Sequence, residues 1–178
     1  MTGNKYFLVG MPASGKSTIG KLIAKQLGCK FIDLDEEIVA QEGVGITEIF
    51  SKKGEAYFRK IERKHLQDLI KQNDEFILAT GGGAPCFFDN MELMNTHGVT
   101  IFLNVAVEDL FNKLANKGTH KRPLLKNISH ADLLSELTSK YNDRKKFYKK
   151  SRISIEQNIG EVTDRVNQVI YAIKTLEK

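Results

Sequence analysis

Apolar residues along this chain fall into two rhythms. Short apolar runs occur at Tyr6–Val9, Lys30–Leu34, Phe76–Ala79, Thr100–Val105 and Arg152–Glu156, and each predicts a strand. Between them the apolar positions are spaced for helices. Lys16–Leu27 puts Ile19, Leu22, Ile23 and Leu27 on one face, and Gly28 is placed to stop that helix. Thr47 is placed to cap a short helix and Glu55–Lys71 makes a longer one. A helix follows the fourth strand to about Asn116, and Ser129-His130-Ala131-Asp132 opens another in the manner of a capping box. The closing helix turns Val162, Val166, Val169, Ile170 and Ile173 inward. Strands alternating with helices predict an α/β fold, with a parallel sheet covered on both faces and right-handed crossovers. Ligands on such sheets sit beyond the carboxyl ends of the strands. The stretch Gly118–Asn127 has no helical periodicity and reads as a long mobile loop, a candidate lid. Neither a repeat nor a linker divides the 178 residues, which suit a single domain over 1–178.

The candidate chemistry clusters where those strands end. Gly10-Met11-Pro12-Ala13-Ser14-Gly15-Lys16-Ser17 fits G-x-x-x-x-G-K-[ST], and it lies between a strand and a helix. Gly10, Ala13, Ser14, Gly15 and Thr18 bring backbone and hydroxyl groups to a phosphate chain at a helix N-terminus. Lys16 supplies a cation to the outer phosphates, and Ser17 a hydroxyl for magnesium. After the second strand come Asp33 and Asp35. Read as extended chain, residues two apart face the same way, so both carboxylates look into the site. One can serve magnesium, and the other can take a proton from an attacking hydroxyl. Glu55, Arg59 and Glu62 share a helix face, either as a surface ladder or as part of a site. Gly81, Gly82 and Gly83 end the third strand and admit a ligand close to the backbone. Arg122 sits in the long loop and Arg144 on the helix beyond it, either solvated or facing phosphate or substrate.

Composition narrows the partners. Hydrophobic residues make up 41% and charged residues 28%, the balance of an ordinary soluble chain, and no apolar run is long enough for a bilayer. Cytoplasmic location and no membrane partner are the expectations. The net charge of +5 and the basic stretch Lys140–Arg152 raise nucleic acid as a partner, but no nucleic-acid motif accompanies them. Cys29 and Cys86 match no metal or redox spacing and are expected as free thiols.

Together these pieces resemble the shikimate kinase family nearly end to end, through GMPASGKS, DLD, IFSKKGEAYFRKIE, TGGGAP, RPLL and the RKKFY around Arg144. The resemblance implies a five-stranded parallel sheet in order 2-3-1-4-5. It implies transfer of the ATP γ-phosphate to the 3-hydroxyl of shikimate, with Mg2+ as cofactor, in aromatic amino-acid biosynthesis. Lys16 and Ser17 then serve phosphate and magnesium, Asp33 assists the metal, and Asp35 meets the acceptor hydroxyl as candidate base. Arg59 and Arg144 bind the shikimate carboxylate, and backbone at Gly81, Gly82 and Gly83 closes the pocket. Arg122 reaches the phosphates. Pro12, Phe50 and Phe58 form an apolar wall, and Glu62 fixes Arg59 from behind. Two departures stand out. The family often has an arginine before the lid, where this chain has Asn112-Lys113-Leu114-Ala115-Asn116-Lys117. Ala79-Thr80 also stands where a small polar residue commonly precedes the glycines. The other readings are a kinase of the same build with another acceptor, such as gluconate or a nucleotide, and a binding module without catalysis. A monomer is expected.

Overall fold

In the computed structural model, residues 4–116, 130–157 and 161–177 are described. Five strands form one parallel sheet: β1 (Lys5–Val9), β2 (Lys30–Asp33), β3 (Phe76–Ala79), β4 (Val99–Val105) and β5 (Ile153–Gln157). Their order is β2-β3-β1-β4-β5, as the resemblance implies. β1 lies at the centre and β3 beside it, and every residue of both is buried. That is why they read as continuous apolar runs rather than alternating ones.

Side chains of β1 point alternately to opposite faces. Phe7 and Val9 join a core with α2 (Leu34–Glu42), α3 (Ile46–Ile70), α4 (Asn90–His97), α5 (Val107–Asn116) and α6 (His130–Tyr148). Tyr6 and Leu8 join a second core with α1 (Lys16–Leu27) and α7 (Val162–Leu176). A short 3-10 helix spans Ala84–Cys86.

Several elements differ from expectation. α1 has the expected bounds, but Leu22 is 38% exposed, and Gly20 and Ala24 are buried beside Ile19 and Ile23. A side chain larger than glycine's at position 20 would run into Phe31 and Leu8, so the helix lies close to the sheet there. In α7, Val166, Val169 and Ile173 are buried, whereas Val162, in the first turn, is 39% exposed. Gly45, not Thr47, caps α3, and Thr47 lies inside the first turn. Gly54, at φ 79 and ψ 170, breaks α3 into two arms, so the second begins at Glu55 as read. The sequence reading missed α2 and α4. Each buries few residues, and α2 turns only Leu34 and Ile38 to the core, too little apolar periodicity to notice.

The register aligns the strand ends. Leu8 pairs with Ala79, and Ala79 with Asp33. The segments opening at Gly10, Leu34 and Thr80 therefore leave the sheet at nearly one level, on its carboxyl edge. Gly98, just before β4, packs so close to β1 that a Cβ would fall on the Lys5 carbonyl oxygen. Because that obstacle is backbone, Gly98→Ala should destabilise the protein by roughly 1–3 kcal/mol, the range for overpacking. A denaturant melt measures it, and an unchanged midpoint would contradict the tight approach.

Candidate active site

The loop between β1 and α1 is built by unusual backbone. Gly10, Ala13 and Gly15 have φ of 142°, 67° and 95°. A side chain at Gly10 would also come within 2.8 Å of the Leu103 carbonyl. The Lys16 side chain folds back over the loop, and its Nζ donates to the Gly10 and Met11 carbonyls at 2.9 Å each. The loop thus holds a buried cation at the N-terminus of α1, where the helix dipole favours an anion.

Asp33 is the N-cap of α2, and its Oδ1 accepts the Asp35 backbone N–H at 3.1 Å. This corrects the extended reading of Asp33-Leu34-Asp35, because the strand ends at Asp33 and a helix starts at Leu34. The two carboxylates share the site through a helix cap, not through strand alternation. Asp33 Oδ2 accepts the Ser17 hydroxyl at 2.6 Å, which joins the metal-candidate pair across two elements.

Arg59 lies deeper, 8% exposed. Its Nη1 donates to Glu62 at 2.8 Å, and its Nε and Nη2 donate to Glu55 Oε1 at 3.2 and 2.9 Å. Three rings surround the guanidinium, those of Phe87, Phe58 and Phe50 at 4.2, 5.1 and 5.9 Å. The Glu55–Arg59–Glu62 set is therefore no surface ladder on its Glu62 side, since Glu62 is fully buried. Burial pushes the Glu62 carboxyl up to about 7 against the pull of Arg59, and the Asp35 charge adds to the rise.

The three glycines fit between these groups. A side chain at Gly81 would meet Glu62 and Asp35, one at Gly82 would meet Pro12, and one at Gly83 would meet the Arg59 guanidinium. Only bare backbone can pass there. Thr80 turns its hydroxyl back to the Leu8 carbonyl at 3.0 Å, so it serves as an interior tie at that position.

A cavity of about 620 Å³ collects most of the predicted residues. Its lining includes Pro12, Ala13, Gly15, Lys16, Ser17, Thr18, Asp33, Asp35, Gly81, Gly82 and Arg144. Gly10, Ser14, Phe50, Phe58, Arg59 and Gly83 are outside that lining, and Phe50, Phe58 and Gly83 pack around Arg59. Arg122 and the candidate lid at 118–127 lie outside the described residues, as does Ser129 of the capping box. Among the described residues, no group of three or more His, Cys, Asp or Glu could hold a metal, and no helix is long and apolar enough to cross a membrane. Cys29 and Cys86 are free thiols.

The sequence reading gave no site role to several residues that the structure brings there. Phe87 stacks on Arg59. Leu133, Glu136, Leu137 and Lys140 line the cavity along the α6 face that also carries Arg144. Tyr148, fully buried one turn after Arg144, donates its hydroxyl to the Gly82 carbonyl at 2.5 Å. The four-residue spacing between Arg144 and Tyr148 was the available signal, because it puts both on one helix face.

The sequence model of the family described as Shikimate kinase matches residues 12–174. A curated shikimate kinase of Parabacteroides distasonis is 41% identical over 152 residues, 85% of this chain and 87% of that protein. One from Sulfurihydrogenibium sp. is 34% identical over 168 residues, 94% of this chain and 96% of that protein. Among solved structures, the shikimate kinase of Bacteroides thetaiotaomicron superposes with a TM-score of 0.90 at 32% identity, covering 96% of this chain and 98% of that one. The shikimate kinase of Acinetobacter baumannii in complex with shikimate gives 0.87 at 31% identity, covering 98% and 94%.

Tyr148→Phe tests the tie between α6 and the glycine turn. Losing the bond to the Gly82 carbonyl should remove about 1 kcal/mol. For a chain of this size that lowers the melting temperature by roughly 2–4 °C. An unchanged melting temperature would mean that the bond does not hold the turn.

Proposed function

The chain belongs to the shikimate kinase family, and we propose how its site carries out the phosphorylation of shikimate by ATP. One observation carries the reading. A single cavity brings together the phosphate loop, both carboxylates, the glycine turn and Arg144. A plain nucleotide-binding pocket has no need of the last two.

On this reading the phosphates of ATP lie along the loop from Gly10 to Thr18 and replace the carbonyls that now hold Lys16. Ser17 and Asp33 would hold Mg2+. Their paired oxygens, 2.6 Å apart, suit a hard cation that also binds phosphate. When bound, the metal neutralises charge developing on the transferring group. The shikimate carboxylate is held by Arg144 and Arg59. An arginine's planar fork matches a carboxylate better than a lysine's point charge. Glu62, Glu55 and the three rings keep Arg59 in one orientation. Asp35 then accepts the proton of the 3-hydroxyl as that oxygen attacks the γ-phosphate, and the backbone at Gly81–Gly83 closes on the ring. Arg122 has the part its RPLL motif suggests, a cation for the transferring phosphate. Phosphoryl transfer calls mainly for positioning and charge stabilisation, which these groups supply.

A coupled assay should give magnesium-dependent ADP release that requires shikimate and is absent with gluconate or nucleoside monophosphates. ADP release independent of shikimate would overturn the reading. Asp35→Asn should lower kcat by about 10²–10⁴-fold with ATP binding retained, the span of general-base contributions. A kcat near that of the unmodified enzyme removes Asp35 from the proton transfer.

Arg144→Lys should weaken shikimate binding by roughly 1.5–3 kcal/mol, the worth of a charged hydrogen bond, and leave ATP affinity unchanged. Titration calorimetry with each ligand reads both. A loss confined to ATP would move Arg144 to the nucleotide side.

A further inference from the structure

Glu62 does more than hold Arg59, because half of its carboxylate is left over. Oε2 accepts from Arg59 Nη1, whereas Oε1 is buried with no hydrogen-bond partner. That oxygen and Asp35 Oδ1 lie 2.8 and 3.0 Å from the point a Gly81 Cβ would occupy. A buried bare acceptor beside a second carboxylate is unfavourable, and a proton on it relieves both problems.

Among the described residues, the titratable groups that act on Glu62 come from four elements. Arg59 lies on its own helix, Asp35 on α2, Arg144 on α6, and the Cys86 thiol in the 3-10 turn. Glu55, also on α3, adds a further carboxylate to Arg59. Among the described residues set against Glu62 and Arg59, two arginines stand against three carboxylates when all are ionised: Glu62, Asp35 and Glu55. A carboxylate ligand makes four. Asp35 and Glu55 reach solvent, which screens their charge, so the acid whose charge costs most is Glu62, with none of its surface exposed. Its protonation also removes one competitor for the Arg59 charge just when the ligand needs that charge.

We infer that Glu62 is a proton-linked positioning residue, which takes a proton from solvent when a carboxylate ligand seats on Arg59 and Arg144. The inference rests on the shikimate reading above. The carboxylate of Glu62 becomes a carboxylic acid, and no other bond changes. The direction agrees with the raised affinity of Glu62 for protons before any ligand arrives, at about 7. An added anion raises it further. Near neutral pH the bound form thus holds more protons than the free form, and shikimate affinity must fall as pH rises.

Calorimetric titration of the full chain with shikimate near pH 7, in phosphate and in Tris buffer, reads the linked protons from the difference in heat. Uptake of a substantial fraction of a proton is expected, with affinity dropping by up to about tenfold per pH unit above neutrality. In Glu62→Gln the uptake should vanish and the affinity should become flat with pH. Binding without uptake, or the same uptake in Glu62→Gln, overturns the inference. If Glu62→Gln does not fold, the uncharged methyl ester of shikimate replaces it as the control. Titrated against the unmodified protein, the ester should bind without proton uptake, and equal uptake with the ester overturns the inference. Failure of shikimate to bind at any pH would overturn the functional reading and this inference together. Binding without uptake leaves the functional reading intact.

Discussion

Everything at the site depends on three strands leaving the sheet at one level. Leu8 pairs with Ala79 and Ala79 with Asp33. The phosphate loop, the acidic cap of α2 and the glycine turn then start side by side. The register is specified strongly because β1 is buried on both faces. A slip of one residue would send Phe7 and Val9 toward α1 and α7, and Tyr6 and Leu8 toward the larger core. Side chains matched to two different cores would all be misplaced together. The same pairing that stabilises the sheet thus sets the distances on which the chemistry relies.

Charge is the second constraint. Lys16 and Arg59 are both buried cations, and on the proposed reading both must still be able to meet anions. Lys16 is held by backbone carbonyls, which a phosphate can displace without leaving a buried charge behind. Arg59 is held by Glu62 and Glu55 and ringed by aromatics, an arrangement too costly to disturb for each turnover. One cation is therefore exchangeable and the other is a fixed fork. The glycine turn completes the plan, since a side chain at Gly81, Gly82 or Gly83 would collide with Asp35 and Glu62, with Pro12, or with Arg59. An unpaired Glu62 oxygen is the residual imbalance of packing so many charges around bare backbone.

The sequence by itself determined the strand order's raw material and the chemistry. Five apolar runs separated by helical spacing point to a parallel α/β sheet, and the signature is strongest in β1 and β3, whose residues are all buried. The phosphate loop, Asp33, Asp35 and the glycines stand out in the sequence by local spacing and Arg144 through the family resemblance, and one cavity gathers most of them. Other features were decided only in three dimensions. That Asp33 caps a helix instead of extending a strand follows from α2, whose two core contacts are too few to announce it. That Thr80 ties back to β1 depends on a carbonyl 72 residues away. Tyr148 meets Gly82 across 66 residues, and Phe87 finds Arg59 only after α3 and the glycine turn have docked. Above all, the burial of Glu62 is a property of what surrounds it. On the chain it is one charged residue of a helix face, and only the packed core around it turns that acid into a group poised near neutrality.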